Sequence, residues 1–416
     1  MTYSKKQNIK EDQHFVPRFY LKNFGNIIGV GRKEKVLVSF YQFCGSLVKE
    51  NIPTKSICYK KYFYGKDGLL EDDFEKRERV WSSAIQSILI SKSYKLTNQQ
   101  EVSIKEFVAY QHFRTYAIVK HANSSMQEIV SIIENTHSIE KNTISKELST
   151  PRMEPLDLMK VCDETALSLR DLKISIIECS TVCKFITSDV PVIVLNPFCP
   201  SLQSMVGVGT FIVIPISPTK LVALYDSKIY SKCRDYMIID DAEMVKNLNR
   251  YQIVSAEERI IAKCRTSLDI AIADAEAFDV RNSFMNQNKA SSFPQEVGRL
   301  LQIHSRAVPY AFPILFCAIF RELRKIPKNC RDVIFRTYSD EIWMQQLFKA
   351  YRMPSLLKNH NTFSPAEIDK FKDGSMKMLR FMMEYWEIPI KDRTITPELI
   401  SKINNLGVEY YPVDAE

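Results

Sequence analysis

Glycine is scarce in this chain, 11 residues in 416, and that shortage argues against a loop-dominated all-β fold. Long apolar runs are missing as well. A membrane-crossing helix needs about 20 predominantly apolar residues. The best run here, Tyr310 to Phe320, is far shorter and leads into Arg321, Arg324 and Lys325, so it reads as a buried helix. The first dozen residues are polar and charged, so no secretion signal and a cytoplasmic location are expected. Ten cysteines stand at irregular spacings, which fits reduced thiols behaving as small hydrophobes. Only Cys179 and Cys183 lie close together, on an expected strand that offers poor metal geometry. There is no GxxxxGK(S/T) phosphate loop, no GxGxxG turn, no HExxH, no GxSxG elbow and no CxxC, so no nucleotide or organic cofactor is indicated.

What is present is unevenly spread. The formal net charge is +8, yet residues 1–66 carry 13 Lys and Arg against 4 Asp and Glu, a local +9. The other 350 residues therefore sum to about neutral. The same segment holds twelve aromatics, among them Phe15, Phe19, Tyr20, Phe24, Tyr59, Tyr62, Phe63 and Tyr64. Basic residues interleaved with aromatics suit a polyanion with stackable bases, so nucleic acid is the expected partner. The bland counterpart is a small hairpin subdomain anchored by aromatics, with solvated lysines.

A chain of 416 residues exceeds the roughly 250–300 at which single cores stop growing. Three regions are expected: a basic, aromatic segment 1–66, a helical block plus sheet over 67–278, and a helical C-terminal domain over 279–416. The polar stretch 282–293 reads as a linker. Glu34–Tyr41 and Ser46–Ile52 form an expected hairpin, and Pro53–Ser56 starts an expected short helix. Helices are predicted from Leu69 to Ile90, from about Thr97 to Asn123, from Ser124 to about Glu147 and from Pro155 to about Arg170. Short runs rich in Ile, Val, Phe and Thr between Leu172 and Tyr225 then predict a mostly antiparallel sheet of four or five strands. Helix is expected again over 240–255, 256–265, 309–324, 332–351 and 364–384. The fold class is α+β, a helical block packed on the sheet, with an all-α C-terminal appendage. The appendage could serve as an oligomer or partner-protein surface, and the basic residues of 321–336 could extend a nucleic-acid face.

Three motifs stand in a fixed order. His14, Val16, Pro17, Tyr20, Leu21 and Phe24 spell H-x-V-P-x-x-Y-L-x-x-F; Glu71 and Glu78 lie a heptad apart in LEDDFEKRE; Thr187, Ser188, Asp189, Pro191 and Val192 spell T-S-D-x-P-V. Together they resemble the bacterial family named domain of unknown function 4238, over about residues 12–270. Gln111 and Arg114 add weaker agreement, with Tyr116 where that family often has proline. The resemblance implies a family and marks positions; it implies no reaction.

The marked positions admit two readings. In the first, Glu71, Glu78 and Asp189 hold Mg²⁺ or Mn²⁺, His14 acts as base, and Arg18 and Arg114 hold a phosphate. Glutamates seven apart return to nearly one direction on a helix, and hard cations take oxygen ligands. That reading makes the chain a metal-dependent phosphodiesterase or nuclease, of the kind found in defence or toxin-type effectors. In the second, Glu71 or Glu78 pairs with Arg114 and His14 in a structural ion network. Asp189 then makes a turn ahead of Pro191, and the basic face binds nucleic acid or an acidic protein without cutting it. An open cleft that gathers Glu71, Glu78, Asp189 and His14 would favour the first; a sealed, dry network would favour the second.

Overall fold

The computed structural model describes residues 10–312, except 30, 92–94, 137–153, 160, 197–204, 208, 228–229, 231–233, 295–298, 304–305, 307 and 310. By its internal contacts the chain divides into Met1–Lys325 and Ile326–Glu416, and the described residues belong to the first unit. The expected helices 332–351 and 364–384, most of 309–324, and the basic stretch 321–336 lie outside the described residues.

The chain is α+β. It opens with a short strand, β1 (Asp12–His14), and a one-turn helix, α1 (Arg18–Lys22), then β2 (Asn26–Ile28), β3 (Lys35–Gln42), β4 (Leu47–Pro53) and β5 (Tyr59–Lys61). Three helices follow: α2 (Leu69–Ile90), α3 (Asn98–Phe113) and α4 (Tyr116–Thr136). After the short α5 (Pro155–Met159) and α6 (Cys162–Ser168) come β6 (Lys173–Cys179), β7 (Thr187–Ser188), β8 (Ile193–Leu195), β9 (Phe211–Pro215), β10 (Lys220–Tyr225) and β11 (Tyr236–Ile239). The described part closes with α7 (Ala242–Ser255), β12 (Arg259–Ala262), α8 (Arg265–Ile272), α9 (Ala275–Met285) and the hairpin β13 (Ala290–Pro294) and β14 (Arg299–Ile303).

Two five-stranded sheets result. One runs β11-β6-β10-β9-β8, antiparallel except where β11 lies parallel to β6. The other joins β2, β3 and β4 of the opening segment to β12 and β7 from far along the chain. The basic segment is therefore woven into the body through its own sheet.

Local sequence explains the long elements. α2 begins with Glu71 and Asp72 in its first turn, where the helix dipole favours anions. It buries Phe74, Trp81, Ile85 and Ile88 along one stripe. α3 is started by a capping box, with the Gln100 amide N–H on Thr97 Oγ1 and the Gln100 side chain accepting from Thr97 N. Phe15, Tyr20, Leu21 and Phe24 of the opening segment share one core with α2, α3 and the β6–β10 sheet.

Several boundaries differ from expectation. The helix predicted to run to Asn123 stops at Arg114, where the Thr115 hydroxyl caps the His112 carbonyl and a new helix starts at Tyr116. Residues 259–262, expected as helix, form β12, because Ile260 and Ile261 are fully buried between β3 and β7. A short apolar run does not distinguish a buried strand from a buried helix. Residues 57–64 hold strand β5 rather than helix, paired with β1. The expected linker 282–293 contains the end of α9 and the start of β13. Among the described residues no helix is long and apolar enough to cross a membrane.

Candidate functional site

Arg114 sits at the C-terminal end of α3 and is one of the largest fully buried side chains. Each of its guanidinium nitrogens donates. Nε reaches Tyr64 Oη at 3.0 Å, one terminal nitrogen reaches Glu78 Oε1 at 2.9 Å, and the other reaches the His14 carbonyl at 2.8 Å. The Phe74 ring lies 4.1 Å beneath the guanidinium. Gln111, one turn earlier, donates to the Phe15 carbonyl at 3.1 Å. Gln13 closes the same knot, accepting from Tyr64 N at 2.6 Å and donating to the Gly65 carbonyl at 3.0 Å. The geometry clamps β1 and the Tyr64 turn onto α2 and α3.

The neighbouring acids carry the electrostatic consequence. Glu71 is half-buried and its pKa is raised by that burial, against the pull of Lys10 and Arg114. Lys10 stands 3.9 Å from Glu71 and 3.5 Å from Glu75. His14 is held down to about 4, first by burial and then by the Arg18 charge. Its Nε2 is buried without a hydrogen-bond partner. Arg18 itself is exposed on α1.

Asp189 lies in a second knot. Both its oxygens are engaged by backbone amides, Glu257 N at 3.0 Å and Glu258 N at 2.7 Å, and its own N–H donates to the Arg259 carbonyl at 3.2 Å. Burial raises its pKa to about 6, against those amide donors. Ser188 Oγ donates to Gln252 Oε1 at 2.8 Å. One residue earlier, Thr187 Oγ1 meets Tyr20 Oη at 2.7 Å, and the same tyrosine donates to the Pro215 carbonyl at 2.6 Å. The opening motif and the T-S-D motif are thus in direct contact.

The loop Ala256–Glu258 is gripped from several sides. Arg281 donates to the Ala256 and Glu257 carbonyls, and Arg306 donates to Glu257 Oε2 and the Ser255 carbonyl. Burial works against the Glu257 carboxylate, but Arg306 and Lys120 hold its pKa low. Two lysines that reach this loop, Lys60 and Lys120, also line a cavity of about 590 Å³, together with Lys61, Tyr62, Phe63 and Tyr116, among others. Lys60 bonds Glu258 at 2.8 Å and sits 4.1 Å over the Tyr116 ring; Lys120 bonds Glu257 at 2.5 Å; Lys61 bonds exposed Glu11 at 3.2 Å. Cys58 and Tyr62, on either side of β5, hold left-handed φ values of 55° and 52°, strained for non-glycine residues.

The six expected site residues therefore divide. His14, Glu71, Glu78 and Arg114 meet at the first knot, with Arg18 acting on His14 from the surface. Asp189 spends its oxygens on the loop 256–258. Among the described residues, no group of three or more His, Cys, Asp or Glu is placed to hold a metal ion. Cys179 and Cys183 are buried, and the Cys179 thiol donates to the Cys183 carbonyl at 3.0 Å. Sequence reasoning missed Gln13 and Tyr64 in the first knot, Glu257 and Glu258 in the second, and Lys120 in the cavity. Each acts across a sequence separation of 50 residues or more, and no local pattern marks such pairings.

No curated protein and no solved structure matches the chain at a significant level. Residues 12–266, more than half of the 416, match a family model described as a protein of unknown function. That span opens at β1 and closes just after β12, so it takes in both knots and the Lys60–Lys120 cavity. The chain belongs to the DUF4238 family.

Proposed function

We propose that this chain is a nucleic-acid-binding module whose Arg114 network is architecture rather than catalytic machinery. The observation that carries the reading is the state of Arg114: its three nitrogens are committed to Glu78, Tyr64 and the His14 carbonyl inside the core. A phosphate contact there would strip the half-buried Glu78 carboxylate and a carbonyl of their donor. The lysines and aromatics of the basic segment, by contrast, line an accessible cavity, which suits a sequence-tolerant grip on a polyanion. The test is a mobility-shift and cleavage assay of the full chain with DNA and RNA, with and without Mg²⁺ or Mn²⁺. Binding that weakens steeply with salt and leaves the strands intact is expected; failure to bind any nucleic acid would overturn the reading.

A metal-dependent phosphodiesterase is the second reading, and one observation favours it. Glu71, Glu75 and Glu78 crowd one helix face, and burial holds Glu71 above the usual carboxylate range, a setting that a divalent cation would relieve. In that reading Glu71 and Glu78 carry the ion, His14 serves as base and Arg18 meets the phosphate, while Asp189, with both oxygens on backbone amides, stays outside the ion's reach. Metal-dependent cleavage by the wild type, abolished in Glu71→Gln, is its signature in the same assay.

A further inference from the structure

We propose that the cavity between β5 and α4 takes a short single-stranded segment of nucleic acid, whose phosphates displace Glu257 and Glu258 from the lysines. This rests on the nucleic-acid-binding reading and names the occupant and the exchange by which it enters.

The occupant follows from what lines the walls. A cavity of about 590 Å³ falls within the few-hundred to ~1,000 Å³ typical of small-ligand sites, which suits individual nucleotide units rather than the side of a duplex. Lys60 and Lys61 come from β5 and Lys120 from α4, so cationic groups approach from two elements, as a kinked phosphate backbone requires. Phe63 and Tyr116 line the cavity, and the Tyr116 face now under Lys60 opens to a base when Lys60 turns to a phosphate; base–aromatic stacking is open only to unstacked bases. Asn123 and Gln127, four apart on α4 and so on one face, also line it. Their amides carry both donor and acceptor, the pattern that pairs with base edges.

The exchange follows from the pairing. Lys60 and Lys120 are met by carboxylate oxygens of two successive residues, Glu258 and Glu257, the partners that a phosphate would replace. Both glutamates have a second cation in place: Arg306 is 2.8 Å from Glu257, and Arg259 is 2.9 Å from Glu258. When a lysine turns to a phosphate, neither carboxylate is left uncompensated. The loop that presents them is fixed from behind by Asp189, Arg281 and Arg306, so the lysines move and the loop stays. The left-handed Cys58 and Tyr62 hold β5 at the cavity wall at a cost in backbone strain, a feature that clusters at ligand clamps.

The experiment measures anisotropy of a short fluorescein-labelled oligo-dT or oligo-U on the full chain, against a duplex of the same length. Single strand should bind more tightly than duplex. Lys60→Ala/Lys120→Ala should weaken it by about tenfold or more, because each lost phosphate contact removes counterion release. Lys61→Glu, on an exposed side chain that the fold uses least, should weaken it in the same direction. Glu258→Gln should tighten binding about threefold, since an amide competes less well than a carboxylate for an ammonium; a residue with only a structural role would not give that sign. If the wild type binds strands and all the lysine variants bind equally well, the cavity is not the site, although the nucleic-acid-binding reading stands. If the wild type binds nothing, both fall. Equal affinity for duplex overturns the single-strand assignment, and a Glu258→Gln variant no tighter than wild type overturns the exchange.

Discussion

Two buried charges, one in each knot, receive opposite treatment. Arg114 faces a counter-charge, Glu78, at 2.9 Å and adds a hydroxyl and a carbonyl as acceptors. Asp189 has two amide donors and no cation at ion-pair distance among the described contacts. The titration follows the partners. Arg114 is held firmly protonated despite its burial, whereas burial moves Asp189 up to about 6. A buried charge given a counter-ion in contact becomes pH-silent; one held by amide dipoles, with its cations at a distance, becomes pH-sensitive. The first knot should therefore be strong and constant, and the second weaker and conditional.

The largest effect expected is from Arg114→Ala. Arg114 is fully buried but Glu78 keeps part of its surface in water, so the loss should fall below the roughly 3–5 kcal/mol of breaking a fully buried pair. Here Glu78, Tyr64 Oη and the His14 carbonyl all lose a donor. Arg114→Lys should recover little, because an ammonium lacks the planar fork that reaches three acceptors at once. Urea unfolding of the two variants checks this, and a Lys variant close to wild type would break the account of the knot.

The second effect is a pH profile. An unfolded aspartate titrates near ~3.9, so with a folded pKa of about 6 the native state keeps a proton that the unfolded chain has released. The stability from Asp189 is fully present below about pH 4 and is lost as pH rises to about 6. At 1.36 kcal/mol per pKa unit this amounts to about 3 kcal/mol as an upper bound. His14 runs the other way: its folded pKa of about 4 lies below an unfolded value near ~6.5. Its contribution is complete above about 6.5 and fades on acidification. The two offset each other in the wild type between pH 4 and 6. In Asp189→Asn only the histidine side remains, so the variant should gain on the wild type as pH rises through that window and hold steady above it. Melting temperatures across pH 4–7.5 measure the difference; a constant gap would show that Asp189 is not the titrating group.

Much of the frame was legible in the sequence. The stripe of Phe74, Trp81, Ile85 and Ile88 marks α2, the Thr97–Gln100 box marks the start of α3, and the Gly45 turn marks the β3–β4 hairpin. The three motifs identify the family. The pairing of Arg114 with Glu78 stood among the sequence alternatives as the structural choice. What local pattern cannot supply is the long-range pairing that makes a strand of two residues, Thr187 and Ser188, or of four, Arg259 to Ala262. The four-residue strand depends on β3 lying alongside, more than two hundred residues earlier, and the two-residue strand depends on that four-residue strand in turn, some seventy residues later. The same holds for Asp189, whose partners are backbone amides near residue 257. An amide donor has no side-chain signature to read.

The smallest effect tests whether the two knots are one unit. Tyr20, on the helix that follows His14, bonds Thr187 Oγ1, two residues ahead of Asp189, and also the Pro215 carbonyl. Its hydroxyl is fully buried and titrates well above the ordinary tyrosine range, chiefly because of that burial. Tyr20→Phe keeps the ring contacts with Phe24 and Phe107 and removes only the bridge, so about 1–2 kcal/mol of stability should be lost. If the bridge couples the knots, the variant combined with Asp189→Asn will lose less than the sum of the two single changes, because contacts in one network are not additive. If the knots are independent, the losses will add, and the sites remain separate supports that share a core without sharing a mechanism.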